Sequence, residues 1–224
     1  MSKGRALELF FVEGDPEGLA TAEVVNWTGH VLRVPRNAIK IALKREEAKR
    51  TGCYILRGSI TGETHLYVGE GERIGERIAR HDIERDWWSE AYFLTTTSDF
   101  LHKAHVKYLE ARLVERATDV GKVKLENNTK PTKSSLSEAA TASMEEYLEI
   151  LNIALGALGF QDFSTGVRAT SPIPSQETYN TTNPTLFYLK TPKNKVQGTA
   201  YLDGSSFIVK SGSRARREWA GQGE

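Results

Sequence analysis

Short apolar runs, each ended by turn-forming residues, predict several β-strands in the first hundred residues. Leu7–Val12 is an apolar run that stops at a Gly-Asp-Pro turn signal, and residues 22–34 can form a second pair of strands. Residues 53–56 and 65–68 are two further short strands with a glycine-containing hairpin connection. Residues 91–97 are rich in aromatic and β-branched residues and complete a sheet with the previous two strands.

Apolar residues at helical spacing predict three longer helices. The first covers about residues 73–85, and the second covers residues 98–121 with Gly121 as its end. The third covers roughly residues 136–158 and is closed by a glycine.

A change in composition divides the chain. Residues 164–184 are dominated by Ser, Thr, Pro and Asn, which is typical of a linker or a long exposed loop. The segments on either side still have strand or helix patterns. We therefore expect five regions: an N-terminal αβ extension at 1–50, a core at 51–131, a C-terminal helix packing on that core at 132–163, the linker at 164–184, and a β-rich region at 185–224.

The overall charge excludes a protein covered in positive charge. The 224 residues include 30 Lys and Arg and 29 Asp and Glu, so any contact with nucleic acid must come from local clustering. The single cysteine, Cys53, excludes an intramolecular disulfide framework and a cysteine-rich zinc site. No apolar run approaches the roughly 18 residues of a membrane span, and the first residues lack a signal-peptide core, so a cytoplasmic location is expected.

A basic stripe on the first long helix is the first candidate site. Arg73, Arg77 and His81 are spaced i, i+4 and i+8, with Arg80 beside them and Gly69 just before the helix. Arginine makes bidentate, permanently charged contacts with phosphate oxygens, so this stripe suits a phosphodiester. The alternative is an ordinary solvated helix face, because several glutamates on the same helix balance its charge.

Glu110 is the second candidate. Its neighbours on the same helix face are Val106, Leu113 and Val114. A carboxylate among apolar residues costs several kcal/mol unless it is paired or binds a metal. Two interpretations remain open at this point: a metal ligand, or one partner of a buried ion pair with an arginine.

Tyr54 and Tyr67 form the third candidate group. They lie on neighbouring predicted strands, next to or near glycines, and a small residue beside an aromatic ring lets a ligand approach a sheet closely. Ordinary cross-strand aromatic packing is the alternative interpretation.

These groups follow one another in an order that resembles the GIY-YIG nuclease family. The triplet Gly-Cys-Tyr at 52–54 is followed by Tyr-Val-Gly at 67–69, an Arg-x-x-x-His helix, a helical glutamate and an asparagine. The resemblance covers about residues 50–131. It implies an α+β fold with a small three-stranded antiparallel sheet flanked by helices, here with an N-terminal extension and a C-terminal β-rich segment. It also implies hydrolysis of phosphodiesters with one Mg²⁺ or Mn²⁺ ion per active site.

The resemblance also implies a set of site residues. Glu110 corresponds to the glutamate that binds the metal, and Arg77 to the helix arginine. The remaining catalytic positions correspond to Tyr54, Tyr67, His81 and either Asn127 or Asn128, while Gly69, Arg73 and Arg80 are expected to contact the substrate.

The implied roles agree with ordinary chemistry. One carboxylate with phosphate and water oxygens is a normal Mg²⁺ shell. Arg77 would offset charge on the transition state, and Tyr54 could take a proton from the attacking water. His81, one turn beyond Arg77, could assist that proton transfer or contact phosphate.

The hypothesis is a metal-dependent DNA endonuclease, with a role in phage defence, restriction or DNA repair and no membrane contact. Cutting both strands would require two active sites, as in a homodimer, or two sequential nicks. The alternatives are a nucleic-acid-binding or regulatory module without catalysis and a protein-interaction scaffold. Residues 196–217 resemble the start of a β-rich domain that often follows bacterial GIY-YIG nucleases, so we expect a truncated or short version of that domain.

Overall fold

The structure is a computed structural model. It describes residues 4–98, 100–129, 131–164, 186–191, 196–203, 206–210 and 212–213. The chain divides into two compact units, Met1–Val167 and Arg168–Glu224. The five predicted regions are a finer division than these two units, and their boundaries stay predictions.

One seven-stranded sheet organises the first unit. Its strands are β1 (Leu7–Phe11), β2 (Ala20–Val24), β3 (Gly29–Pro35), β4 (Gly52–Ile60), β5 (Glu63–Gly71), β6 (Trp88–Thr96) and β7 (Lys124–Leu125). They are arranged in the order β1-β2-β3-β6-β4-β5-β7. All neighbours are antiparallel except β5 and β7, which are parallel. The sheet is therefore mixed.

The expected small three-stranded antiparallel sheet is wrong. The three predicted strands do pair with one another, as β6-β4-β5, but they are the middle of a larger sheet. The physical reason lies in β6, whose residues Ala91–Thr96 are all buried. A strand buried in this way requires a partner on each side, and β3 supplies the second one by pairing with β6 from Gly29 to Pro35.

In the part of the first unit that the structure describes, five α-helices and one short 3₁₀ turn pack on this sheet. The 3₁₀ turn covers Arg36–Ala38, and the helices are α1 (Ile39–Ala42), α2 (Glu46–Lys49), α3 (Ile74–Glu84), α4 (Lys103–Val120) and α5 (Glu138–Ala157). The three longer helices confirm the spacing argument. Gly121 adopts the left-handed conformation at the end of α4, as a glycine cap does, and the Ser137 hydroxyl caps the start of α5.

The two faces of the sheet contribute to two different cores. Because side chains alternate along a strand, Cys53 and Ile55 of β4 face α4 and α5, whereas Tyr54 and Leu56 face the shorter helices and α3. Val68 of β5 belongs to the first core. A functional side chain on β4 or β5 is thus assigned to one face by its position in the alternation.

The second unit contains an antiparallel three-stranded sheet. Its strands are β8 (Leu186–Thr191), β9 (Val196–Asp203) and β10 (Ser206–Val209), in the order β10-β9-β8. The predicted linker at 164–184 lies outside the described residues except for residue 164. Within the described ranges, no helix has the length and apolar character needed to cross a membrane.

Candidate functional site

The two motif tyrosines lie on the α3 side of the hairpin formed by β4 and β5. Tyr54 is fully buried on β4, Tyr67 is half-buried on β5, and their ring centroids are 6.1 Å apart. Gly69 stands directly across from Tyr54 in the strand register. A Cβ atom at Gly69 would overlap the phenol oxygen of Tyr54, so only glycine leaves room for this ring.

His81 joins the two tyrosines from α3. Its ring lies edge-on to Tyr67 with centroids 4.8 Å apart, and its Nε2 atom is 2.9 Å from the phenol oxygen of Tyr54. Only 6% of His81 is exposed. The structure therefore places His81 inside the fold against Tyr54 and away from the solvated surface of α3.

Arg85 fixes the protonation pattern of this cluster. Its Nε–H donates to the Nδ1 atom of His81 at 3.2 Å, and its guanidinium carbon lies 4.5 Å from the centre of the Tyr67 ring. Burial, followed by the charges of Arg85 and Arg77, lowers the pKa of His81 to about 4. The imidazole is therefore neutral near pH 7. Since arginine can only donate, Nδ1 carries no proton and Nε2–H donates to Tyr54.

This arrangement restricts the chemistry of Tyr54. Burial, and then the nearby Tyr67 phenol, raise the pKa of Tyr54, whereas the charge of Arg77 lowers it. Tyr54 is thus a protonated phenol at neutral pH. His81 cannot accept its proton, because Nε2 is already protonated, but Nε2–H would stabilise a phenolate formed there. His81 is positioned to hold the phenol oxygen.

The three arginines of the predicted basic stripe have different surroundings in the structure. Arg77 is exposed, and its pKa is raised because the Tyr54, Tyr67 and Glu70 side chains outweigh the opposing effect of partial burial. Arg73 pairs with Glu76 on the surface at 3.1 Å. Arg80 is also exposed. Of the three arginines, Arg77 is therefore the one that borders the tyrosines.

Glu110 is half-buried on α4, on the other face of the sheet edge. Within the described part of the chain its carboxylate makes no hydrogen bond and no ion pair. Burial, and then the charge of Glu70, raise its pKa to about 7, while Lys103 and Arg77 act in the opposite direction. Among the described residues, no arginine forms the buried ion pair that the sequence left open. Glu110 is an uncompensated carboxylate with cations close by.

Glu70 and Lys103 complete the charged surroundings. Lys103 at the start of α4 donates to both carboxylate oxygens of Glu70, at 2.8 and 2.9 Å. A cavity of about 300 Å³ opens beside them. Its walls include Glu70, Lys103 and Arg77, three of the charges that shift the pKa of Glu110. The cavity therefore lies beside the charges that act on Glu110, although Glu110 and Tyr54 themselves do not line it.

The donor set near Glu110 is compatible with a hard divalent cation. Carboxylate oxygens are the ligands that Mg²⁺ prefers, and the ion usually keeps several waters beside one or two of them. Glu110 would hold such an ion, whereas the Glu70 carboxylate is already paired with Lys103. Over the described ranges, however, no group of three or more His, Cys, Asp or Glu side chains forms a ready-made cage. These residues therefore fit an open site, in which water and substrate would complete the coordination of the ion.

The structure distinguishes the two candidate asparagines. Asn127 binds the backbone of Val68 twice: its side-chain oxygen accepts from the Val68 N–H at 3.1 Å, and its amide donates to the Val68 carbonyl at 2.7 Å. Asn128 is exposed. Asn127 therefore fixes β5 between Tyr67 and Gly69, and both ends of its side chain are occupied by that backbone.

Sequence reasoning missed three residues of this site: Glu70, Arg85 and Lys103. Arg85 could have been found, because it continues the i, i+4 spacing of Arg77 and His81 by one more turn. Glu70 is placed on the Glu110 side by strand alternation, since it neighbours Gly69. The approach of Lys103 to Glu70 depends on how α4 packs on β5, and no local signal indicates it.

Comparisons with protein-family models, curated proteins and solved structures found no match for this chain.

Proposed function

We propose that this chain is a divalent-metal-dependent nuclease that hydrolyses DNA phosphodiester bonds. The observation that carries the proposal is the carboxylate of Glu110, which is half-buried and has no partner among the described residues. The charge of Arg77 acts both on this carboxylate and on Tyr54 of the tyrosine cluster. The order of these residues is also the one in which the sequence resembles GIY-YIG nucleases. A cytoplasmic location belongs to the same proposal.

The protein groups would act together on a phosphate placed at the sheet edge. Arg77 is exposed and always charged, so it can bind a phosphate oxygen and offset charge in the transition state. The Tyr54 phenolate, formed when the phenol loses its proton to solvent, would take a proton from the attacking water and become a phenol again. The phenolate would be stabilised by the Nε2–H of His81 and the charge of Arg77. Its raised pKa means that added positive charge is needed for this role.

A Mg²⁺ or Mn²⁺ ion, when bound, would supply Lewis-acid chemistry to the phosphate. Glu110 would hold the ion, and Glu70 lies close enough to raise the pKa of Glu110. Lys103 pairs with Glu70 and keeps that second carboxylate neutralised. The pairing of Glu70 with Lys103 leaves Glu110 as the carboxylate that would be free to bind the ion.

The test is a cleavage panel of single-stranded, duplex and branched DNA, with Mg²⁺, with Mn²⁺ and with a chelator. We expect cleavage that requires the metal. Cleavage should disappear in Glu110→Ala, while folding and DNA binding persist. Intact DNA in every lane would overturn the proposal.

A second candidate is a nucleic-acid-binding module without catalysis. It is favoured by Lys103, whose ammonium already neutralises Glu70, and by the lack of a three-ligand group among the described residues. DNA binding that is independent of metal and without turnover would support this second candidate.

A further inference from the structure

The outer edge of the sheet at β1 has an exposed apolar strand. Leu9, Phe10 and Phe11 are 38%, 55% and 39% exposed, and no other described element pairs with this side of β1. Proteins usually protect a free edge with charges, proline or a bulge, since an unprotected one pairs with another strand. The single charged residue within β1 is Glu8.

The hydrogen-bonding groups of this edge can be assigned. Ala6 accepts from Val25 and Val12 donates to Leu19, so the even-numbered residues of β1 bond to β2. Backbone groups of successive strand residues point in opposite directions. The N–H and C=O groups of Leu7 and Leu9 and the N–H of Phe11 therefore point outward, ready to pair with another strand.

The sequence around Leu9 is complementary to itself when two copies run antiparallel. A two-fold axis at Leu9 places Leu7 of one copy opposite Phe11 of the other, and Leu9 opposite its own counterpart. These three side chains share one face of the strand by alternation. The pairing would thus form a continuous stripe of six apolar side chains across the two copies.

Charge is complementary in the same arrangement. Arg5 precedes the strand, and Glu13 lies in the turn that follows it, close to Asp15 and Glu17. Both Arg5 and Glu13 are exposed and neither forms an ion pair with a described residue. An antiparallel pair of strands brings the basic end of each copy to the acidic turn of the other, whereas a parallel pair would bring like charges together.

We propose that a second copy of this chain binds along β1, giving a two-fold dimer with a continuous sheet of fourteen strands. The number follows from two seven-stranded sheets joined at one edge. A dimer of this kind would carry one Tyr54–His81 cluster in each copy. The proposal does not depend on the proposed nuclease function, since association is measured without DNA.

Sedimentation velocity over a concentration series tests the proposal on the full chain. We expect a concentration-dependent dimer for the wild type and a monomer for Leu9→Lys, because two ammonium groups would meet at the axis. Ile153→Lys is the matched control: it also adds a lysine at an exposed apolar position, 44% exposed on α5, and should leave the dimer intact. Melting temperatures measured under monomeric conditions separate lost association from lost folding.

Reversing the charges of Arg5 and Glu13 provides a second test of the proposed dimer. Because each dimer contains two Arg5–Glu13 contacts, Arg5→Glu should weaken association about tenfold, and adding Glu13→Arg should restore it. A wild type that stays monomeric at every concentration contradicts the proposal. So does a dimer that is unaffected by Leu9→Lys, or a double reversal that fails to recover the affinity.

Discussion

The Nε2–H of His81 donates to the phenol oxygen of Tyr54 at 2.9 Å, and this bond connects α3 to the centre of the sheet. Its direction is set by Arg85, which occupies Nδ1 on the opposite side of the ring. The neutral histidine is therefore a hydrogen-bond donor to the tyrosine. His81 therefore cannot accept the proton of Tyr54.

The protonation pattern of His81 can be measured directly. Nitrogen-detected NMR titration should show a neutral Nε2–H tautomer that gains a proton only near pH 4. Arg85→Ala removes the largest charge effect on the ring, so the pKa of His81 should rise toward 6.5. Arg80→Ala is the control and should change it less. An Nδ1–H tautomer in the wild type would contradict this account.

Tyr54→Phe should lower metal-dependent cleavage by about 100-fold or more, because it removes the candidate base. The unfolding free energy should fall by about 1–2 kcal/mol, since the Nε2–H of His81 loses its partner. Tyr92→Phe is a matched control, being another buried tyrosine on the opposite face of the sheet. Cleavage rates measure the first effect, and urea unfolding measures the second, for both variants. Equal activity of the two variants would remove Tyr54 from the mechanism.

The two asparagines should differ in stability. Asn127→Ala removes two hydrogen bonds to the Val68 backbone and should lower the unfolding free energy by about 2 kcal/mol. It should also reduce cleavage, because β5 carries Tyr67 and Gly69. Asn128→Ala should stay within about 0.5 kcal/mol of the wild type. Chemical denaturation of the two variants measures the difference, and similar values for both would show that Asn127 does not fix β5.

A second histidine should make stability depend on pH. His30 lies between two carboxylates, with Nδ1 2.6 Å from Glu23 and Nε2 3.2 Å from Glu47, and Arg45 also pairs with Glu47. Burial opposes a charged ring, but the hydrogen bonds and charges of Glu47 and Glu23 outweigh it, so the pKa of His30 is raised above 6.5.

Because its pKa is raised, His30 binds its proton more tightly in the folded protein than in the unfolded chain, and this sets the sign of the pH dependence. The contribution of His30 is complete below pH 6.5 and is lost as pH rises through the folded pKa. His30→Gln should therefore cost about 3 kcal/mol near pH 6 and clearly less near pH 9. Urea unfolding of both proteins at the two pH values provides the comparison, and an equal cost at both would contradict it.

Much of the fold could be predicted because the deciding signals are local. The spacing of apolar residues indicated α3, α4 and α5, and Gly121 marked the end of α4. The size of the sheet could not be predicted in this way. It depends on β3 pairing with β6, two strands separated by more than fifty residues, and single-strand patterns do not show which neighbours they choose.

The candidate site also contains some features that could be predicted from the sequence and others that could not. Arg77 and His81 are one turn apart on a helix, so their shared face could be inferred from the sequence. The surroundings of Glu110 could not, because the helix pattern is equally consistent with an ion pair and with an isolated carboxylate. Only the packing of α4 on β5 shows that Lys103 pairs with Glu70, and that no described residue pairs with Glu110.

The most direct test of the central claim compares two glutamates on one helix. Glu110→Gln and Glu115→Gln are isosteric changes on α4. Glu115 is paired with Arg112 and Lys133, whereas Glu110 has no partner in the described part of the chain. Single-turnover DNA cleavage with saturating Mg²⁺ should fall about 100-fold or more for Glu110→Gln and stay near the wild-type rate for Glu115→Gln. Undiminished cleavage by Glu110→Gln would contradict the account.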